Sequence, residues 1–207
     1  MTILSIDAGT TGVTCLLVNE QGKIIAKGYQ EFDQYFPNPG WVEHEPEQIW
    51  QAVLASASMA LDASPGTTVS AVGITNQRET IALWHRESLN SPRRAIVWQD
   101  RRTAELVAGL REQGLEETVR DKTGLGLDPY FSSSKLLWIA QNEPEIWTQV
   151  QEGKLAIGTI DSYLVARLSG GLSHITDASN ASRTQLMNIN TRSEEHTSEL
   201  QSHHVIS

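Results

Sequence analysis

The sequence predicts an α/β fold built on a mixed sheet flanked by helices. Three observations point there: short strand-like runs joined by tight turns fill the first 30 residues, a helical period follows Pro46, and strand-like and helix-like segments then alternate.

Residues 3–6, 13–19 and 24–29 are rich in β-branched and apolar side chains, with turn chemistry at Asp7-Ala8-Gly9 and Gln21-Gly22. They are expected to pair as an antiparallel meander. Pro37, Pro39 and Gly40 break that pattern, and Glu45-Pro46 opens a helix, because a proline in the first turn lacks only an N–H the helix does not use. The apolar positions Ile49, Trp50, Val53, Leu54 and Ala57 recur at helical spacing until Pro65-Gly66, which makes this segment a crossover. Residues 69–75 form an apolar run of the buried-strand type, 81–84 and 95–98 read as shorter strands, and 101–111 returns to the helical period. Helices are expected at 115–122, 133–141 and 144–150, punctuated by Thr123-Gly124-Leu125-Gly126, Asp128-Pro129 and Pro144. A strand at 155–157 and a helix at 161–168, stopped by Gly170-Gly171, complete the alternation.

With 39% hydrophobic and 20% charged residues the chain lies in the globular range, which excludes collagen-like, coiled-coil and wholly disordered classes. Lys and Arg number 16 against 25 Asp and Glu, a net charge of −9 that repels phosphate backbones and anionic bilayers. Neither nucleic acid nor a membrane is expected as a partner. Cys15 is the single cysteine, no basic leader precedes Asp7, and no apolar run reaches the roughly 18 residues of a membrane span, so a cytoplasmic location is expected.

Residues 192–207 differ from the rest: they hold three of the six His and no apolar periodicity. Adjacent His203 and His204 fall short of the convergent ligands a metal site needs. The run RSEEHTSELQS resembles the in-frame translation of a widely used short-read sequencing adapter, and His203 to Ser207 fit its continuation through a variable index. Residues 192–207 are therefore expected to be a disordered translation artefact, with 1–191 as one incomplete lobe of a longer natural product.

Three segments carry chemistry. Asp7-Ala8-Gly9-Thr10-Thr11-Gly12 lies between two strands; its glycines let backbone N–H groups approach anionic oxygens, Thr10 and Thr11 add hydroxyls, and Asp7 can reach a hydrated Mg²⁺. No Gly-Lys-Ser/Thr follows and no helix opens, so it is neither a Walker loop nor a dinucleotide fingerprint, and an ordinary hairpin turn would look similar. Thr75-Asn76-Gln77-Arg78-Glu79-Thr80 leaves a strand with six polar residues, and Arg78 beside Glu79 offers donors next to acceptors, as a polyhydroxylated substrate requires. A solvated ion pair would read the same. Trp98, in Ala95-Ile96-Val97-Trp98-Gln99-Asp100-Arg101-Arg102, and Tyr130, after Asp128-Pro129, offer flat walls for a carbon skeleton, although a core Trp is the commoner role. Cys15 reads as a small core residue; His44 and His85 receive no role.

Together these segments resemble the FGGY carbohydrate kinases, and within them the members that act on glycerol. The resemblance spans residues 3–191 and rests on Asp7 to Thr11, Pro39-Gly40-Trp41-Val42-Glu43-His44, Gly73 to Thr80, Ala95 to Ala104, and Asp128 to Ser132, with Lys135, Trp138, Thr176-Asp177 and Asn180-Ala181-Ser182-Arg183-Thr184. It implies an actin-like (ribonuclease H-like) ATPase-fold N-terminal lobe, ATP and Mg²⁺ as cofactors, and transfer of the γ-phosphoryl group to glycerol. By resemblance Gly9, Thr10 and Thr11 bind the phosphates, Asp7 sits near Mg²⁺, and Arg78, Glu79, Trp98 and Tyr130 hold the substrate. The family's catalytic Asp and second lobe have no counterpart here, so no catalytic residue is assigned, the chain alone is expected to be inactive, and any homo-oligomer belongs to the full-length protein. Ala8 stands where glycerol-acting members carry Gln, and Gly12-Val13-Thr14 replaces Ser-Ser-Arg. A sister kinase acting on a sugar such as xylulose, or a non-catalytic actin-like binding module, are the alternatives.

Overall fold

A computed structural model describes residues 1–192. Apart from Arg192, the segment expected to be foreign lies outside the described residues. Strands β1 (Ile3–Ala8), β2 (Gly12–Val18) and β3 (Ile24–Glu31) form the expected meander. Two-residue strands β4 (Gln34–Tyr35) and β5 (Glu43–His44) precede helix α1 (Pro46–Asp62), and β6 (Ala71–Asn76) follows it. Strands β7 (Ala82–His85) and β8 (Ala95–Ile96) lead to helices α2 (Ala104–Glu112), α3 (Glu116–Thr123), α4 (Ser132–Asn142) and α5 (Pro144–Gln151). Strand β9 (Leu155–Gly158), helix α6 (Ile160–Leu168) and the single turn α7 (Ala178–Ala181) close the described chain.

The main sheet has the order β3-β2-β1-β6, with β1 antiparallel to β2 and parallel to β6. Helix α1 is the crossover that makes the parallel pair possible. Two smaller sheets, β4-β5-β8 and β7-β9, are antiparallel. Pro46 starts α1, and the helix buries Ile49, Ala52, Val53, Ser56 and Ala60. This stripe is rotated from the expected one: Leu54 is exposed. The rotation follows from how closely α1 approaches the sheet, because a Cβ on Gly28 of β3 would lie 1.9 Å from the Ser56 carbonyl oxygen. Ser56 Oγ also lies 3.1 Å from Cys15 Sγ, and burial raises the Cys15 pKa, as suits a core thiol.

One expectation fails. The run at 69–75 forms β6 but is not buried; Val72 is 49% exposed. As the edge strand it is paired on one side only, and although Ile74 packs against the core, Ala71, Val72 and Gly73 stay exposed.

A second apolar cluster, with Ile81, Leu83, Ile96, Leu136, Ile139 and Leu155, joins the smaller sheets to α4. Arg102 fastens this half. Its guanidinium bonds Asp100 and Glu43 at 2.8 Å, lies 3.7 Å from the Trp41 ring centre and reaches the Trp138 ring at 4.9 Å. Asp100 in turn accepts the Val42 N–H at 2.6 Å. The polar residues after Trp98 therefore divide their work, with Asp100 and Arg102 spent on the fold.

Candidate functional site

Three chain segments meet at the ends of β1, β6 and β8. The β1–β2 turn is closed by the Gly9 N–H donating to the Gly12 carbonyl at 3.0 Å. Gly12 is required there because a Cβ would meet the Gln30 carbonyl oxygen of β3 at 2.8 Å. Asp7, at the end of β1, and Thr11 are exposed. Thr10 turns inward: its Oγ1 accepts the Trp98 indole N–H at 3.0 Å. The turn expected to face phosphate and the aromatic expected to face substrate are thus in direct contact.

Trp98 is half-buried and packs on Tyr130, with ring centres 5.4 Å apart. The Tyr130 segment is built as a tight turn, in which Asp128 Oδ1 accepts the Tyr130 N–H at 2.9 Å. Lys135, fully buried on α4, donates to the carbonyls of Pro129, Tyr130 and Phe131 at 2.6, 2.8 and 3.2 Å. Burial pushes its pKa down to about 7, against the opposing charges of Asp100, Glu79 and Asp128. The three carbonyls match the three donors of an ammonium, so Lys135 anchors the loop that presents Tyr130.

Glu79 and Arg78, expected to offer acceptors and donors side by side, sit in different surroundings, Glu79 buried and Arg78 exposed. Glu79 has φ 65°, a left-handed conformation that costs a residue with a Cβ about 1–2 kcal/mol. Its side chain is buried, and its Oε1 accepts from Arg183 Nε at 2.6 Å. Its carbonyl accepts the Ser132 hydroxyl at 2.9 Å. Arg78 remains exposed. Asp177 caps α7, and the N–H of Asn180, helped by the nearby Arg78 charge, holds its carboxyl below the usual range.

The donor set is compatible with a nucleotide-bound Mg²⁺. Among the described residues no three His, Cys, Asp or Glu side chains converge. Mg²⁺ keeps several waters and needs only one or two carboxylates beside phosphates, and Asp7 is an exposed carboxylate at the mouth of the turn. The described residues contain no helix long and apolar enough to cross a membrane.

Residues 2–199 match the FGGY family of carbohydrate kinases, N-terminal domain. The chain belongs to this family. It is 51% identical over 192 residues to a glycerol kinase of Citrifermentans bemidjiense, covering 91% of this chain and 39% of that protein. A glycerol kinase of Burkholderia vietnamiensis is 48% identical, with 92% and 38% covered. The structure superposes on Plasmodium falciparum glycerol kinase, solved with ADP, with a TM-score of 0.88 at 35% identity over 93% of this chain and 38% of that one. A xylulose kinase from Lactobacillus acidophilus superposes at 0.86 with 23% identity, covering 97% of this chain and 40% of that one, a likeness of fold. The architecture is that of the N-terminal part of the actin-like ATPase fold of FGGY kinases. This FGGY chain spans about 39% of the length of the curated relatives it matches.

Two residues that pack around this candidate site received no role from the sequence. Arg183 lies inside the family pattern at 180–184, but its attachment to Glu79 spans 104 residues and has no local signature. Its guanidinium also lies 5.0 Å from the Phe131 ring centre and 5.6 Å from that of Tyr130. His44 is fully buried, its Nδ1 3.1 Å from Gln77 Nε2, and burial pushes its pKa down to about 4.

Proposed function

We propose that this lobe supplies the substrate wall and the phosphate-facing turn of a cytoplasmic, ATP-dependent kinase that phosphorylates glycerol to glycerol 3-phosphate. The observation that carries the reading is the 3.0 Å bond from Trp98 to Thr10, which brings the substrate wall against the turn that would face the phosphates. Gly9, Thr10 and Thr11 would hold phosphate oxygens through backbone N–H and hydroxyl donors, and Asp7 would hold Mg²⁺ through water. Bound Mg²⁺ supplies charge neutralisation on the phosphates. Trp98 and Tyr130 would exclude water from one side of the glycerol carbons, while Arg78 donates to and Glu79 accepts from its hydroxyls. Because the chain spans only about 39% of the length of the glycerol kinases it matches, this lobe is assigned to binding and the transfer step to a longer product. Identity near 50% to glycerol kinases favours glycerol over a sugar.

Saturation-transfer NMR on the chain with glycerol and with xylulose tests the binding. Glycerol signals that vanish on Glu79→Gln support the reading, and a preference for xylulose, or no polyol contact by a folded chain, refutes it. A coupled assay of the longer product for ATP-dependent glycerol phosphorylation checks the reaction itself.

A further inference from the structure

Gln77 follows β6 directly and is buried. Its backbone N–H donates to the Ala8 carbonyl at 2.8 Å and so extends the parallel β1–β6 ladder. The side-chain amide then makes three contacts: Nε2 reaches the Gly9 carbonyl at 3.0 Å and His44 Nδ1 at 3.1 Å, and Oε1 accepts from Thr80 Oγ1 at 2.8 Å. These partners fix the amide orientation, because a carbonyl can only accept. One N–H goes to Gly9 and the other to His44, whose Nδ1 must then accept and whose proton sits on Nε2. Thr80 gives its proton to Gln77 and uses a lone pair to accept the Trp98 backbone N–H at 3.2 Å. The Trp98 indole closes the circuit on Thr10 at 3.0 Å.

One neutral amide therefore stands between the turn and the aromatic wall, held to Gly9 on one side and, through Thr80, to Trp98 on the other. We propose that Gln77 is a positioning residue, whose side-chain amide fixes the separation between the β1–β2 turn and Trp98. The role in catalysis rests on the functional reading above: a phosphoryl donor on the turn and a polyol on the wall must meet in register, and a shift of about 1 Å can cost about 100-fold in rate. A carboxylate in this place could not donate to Gly9 or His44, and an apolar side chain would leave a buried carbonyl and hydroxyl without their partner.

The test uses the whole chain with its indoles labelled with ¹⁵N. Trp98→Phe identifies the Trp98 Nε1–H signal among the six Trp. Gln77→Met keeps the volume and removes the amide. The expected result is a shifted Trp98 signal whose hydrogen exchange accelerates about tenfold, the effect of losing one ordinary hydrogen bond, while the other indoles stay in place. An unchanged Trp98 signal in a folded Gln77→Met chain, or all indoles moving together, overturns the proposal. If Gln77→Met does not fold, the wild-type chain decides. Gln77 side-chain N–H protons that exchange more slowly than those of exposed glutamines support the proposal, and equal exchange overturns it. Glycerol contact is read separately, so a chain that ignores glycerol refutes the functional reading, while the Trp98 and Gln77 signals alone decide the positioning.

Discussion

Replacing Arg183 by Met removes the partner of Glu79 while keeping most of the aliphatic stem. The Glu79 side chain is 3% exposed and Arg183 30%, with 2.6 Å between Nε and Oε1. Breaking a buried pair from one side costs about 3–5 kcal/mol, because the remaining charge has lost both water and counter-charge. Water reaches the Arg183 end, and screening there reduces the expected loss to about 2–3 kcal/mol. For a domain of this size the midpoint of thermal unfolding should fall by roughly 4–12 °C. Urea unfolding of wild type, Arg183→Met, Glu79→Gln and the double variant forms a cycle in which the two losses should fail to add by about 2 kcal/mol. The left-handed backbone at Glu79 should then lose its restraint, and glycerol contact should weaken in parallel. Strictly additive losses, or an Arg183→Met chain as stable as wild type, would show that the pair does not hold Glu79 in place.

Gly28→Ala should cost about 3 kcal/mol, since the added carbon would lie 1.9 Å from the Ser56 carbonyl and α1 would have to leave the sheet; Gly73→Ala, where the added carbon meets nothing, should shift the urea midpoint very little. His44 gives a pH signature with a defined sign. Burial holds its pKa at about 4 against 6.5 for a free imidazole, so its contribution to stability is fully present above about pH 6.5 and is lost as pH falls toward 4. Urea midpoints measured from pH 7 to 4 should decline more steeply for wild type than for His44→Phe, and parallel curves would refute the assignment.

The family was legible in the sequence because its signatures are local. Strand runs closed by Asp7-Ala8-Gly9 and Gln21-Gly22, and Pro46 at a helix start, act through φ, ψ and side-chain period, which neighbouring residues set. For the same reason Thr10, Glu79, Trp98 and Tyr130 could be singled out, since polar or aromatic residues that leave rigid strands mark loops held in place. Strands β4 and β5 were not legible, because two residues carry no period: β5 forms only where β8 offers a partner, and β4 only where β5 does.

Pairing was what the tertiary structure decided. Arg78 and Glu79 are neighbours in sequence, but Glu79 is buried with a left-handed backbone, and its carboxylate is held by Arg183 from 104 residues away. Asp100 and Arg102 follow Trp98 in the same segment, and only the fold shows them paired with each other and closed over Trp41. Gln77 gave no sign of its role until Gly9, His44 and Thr80 were brought around it. A buried polar group must find a partner of matching capacity wherever the chain supplies one, and sequence distance does not enter that requirement. The sequence by itself determined the elements and the residue types at their ends; only the packing of α1, α4 and the 176–186 segment against those ends determined which polar groups meet.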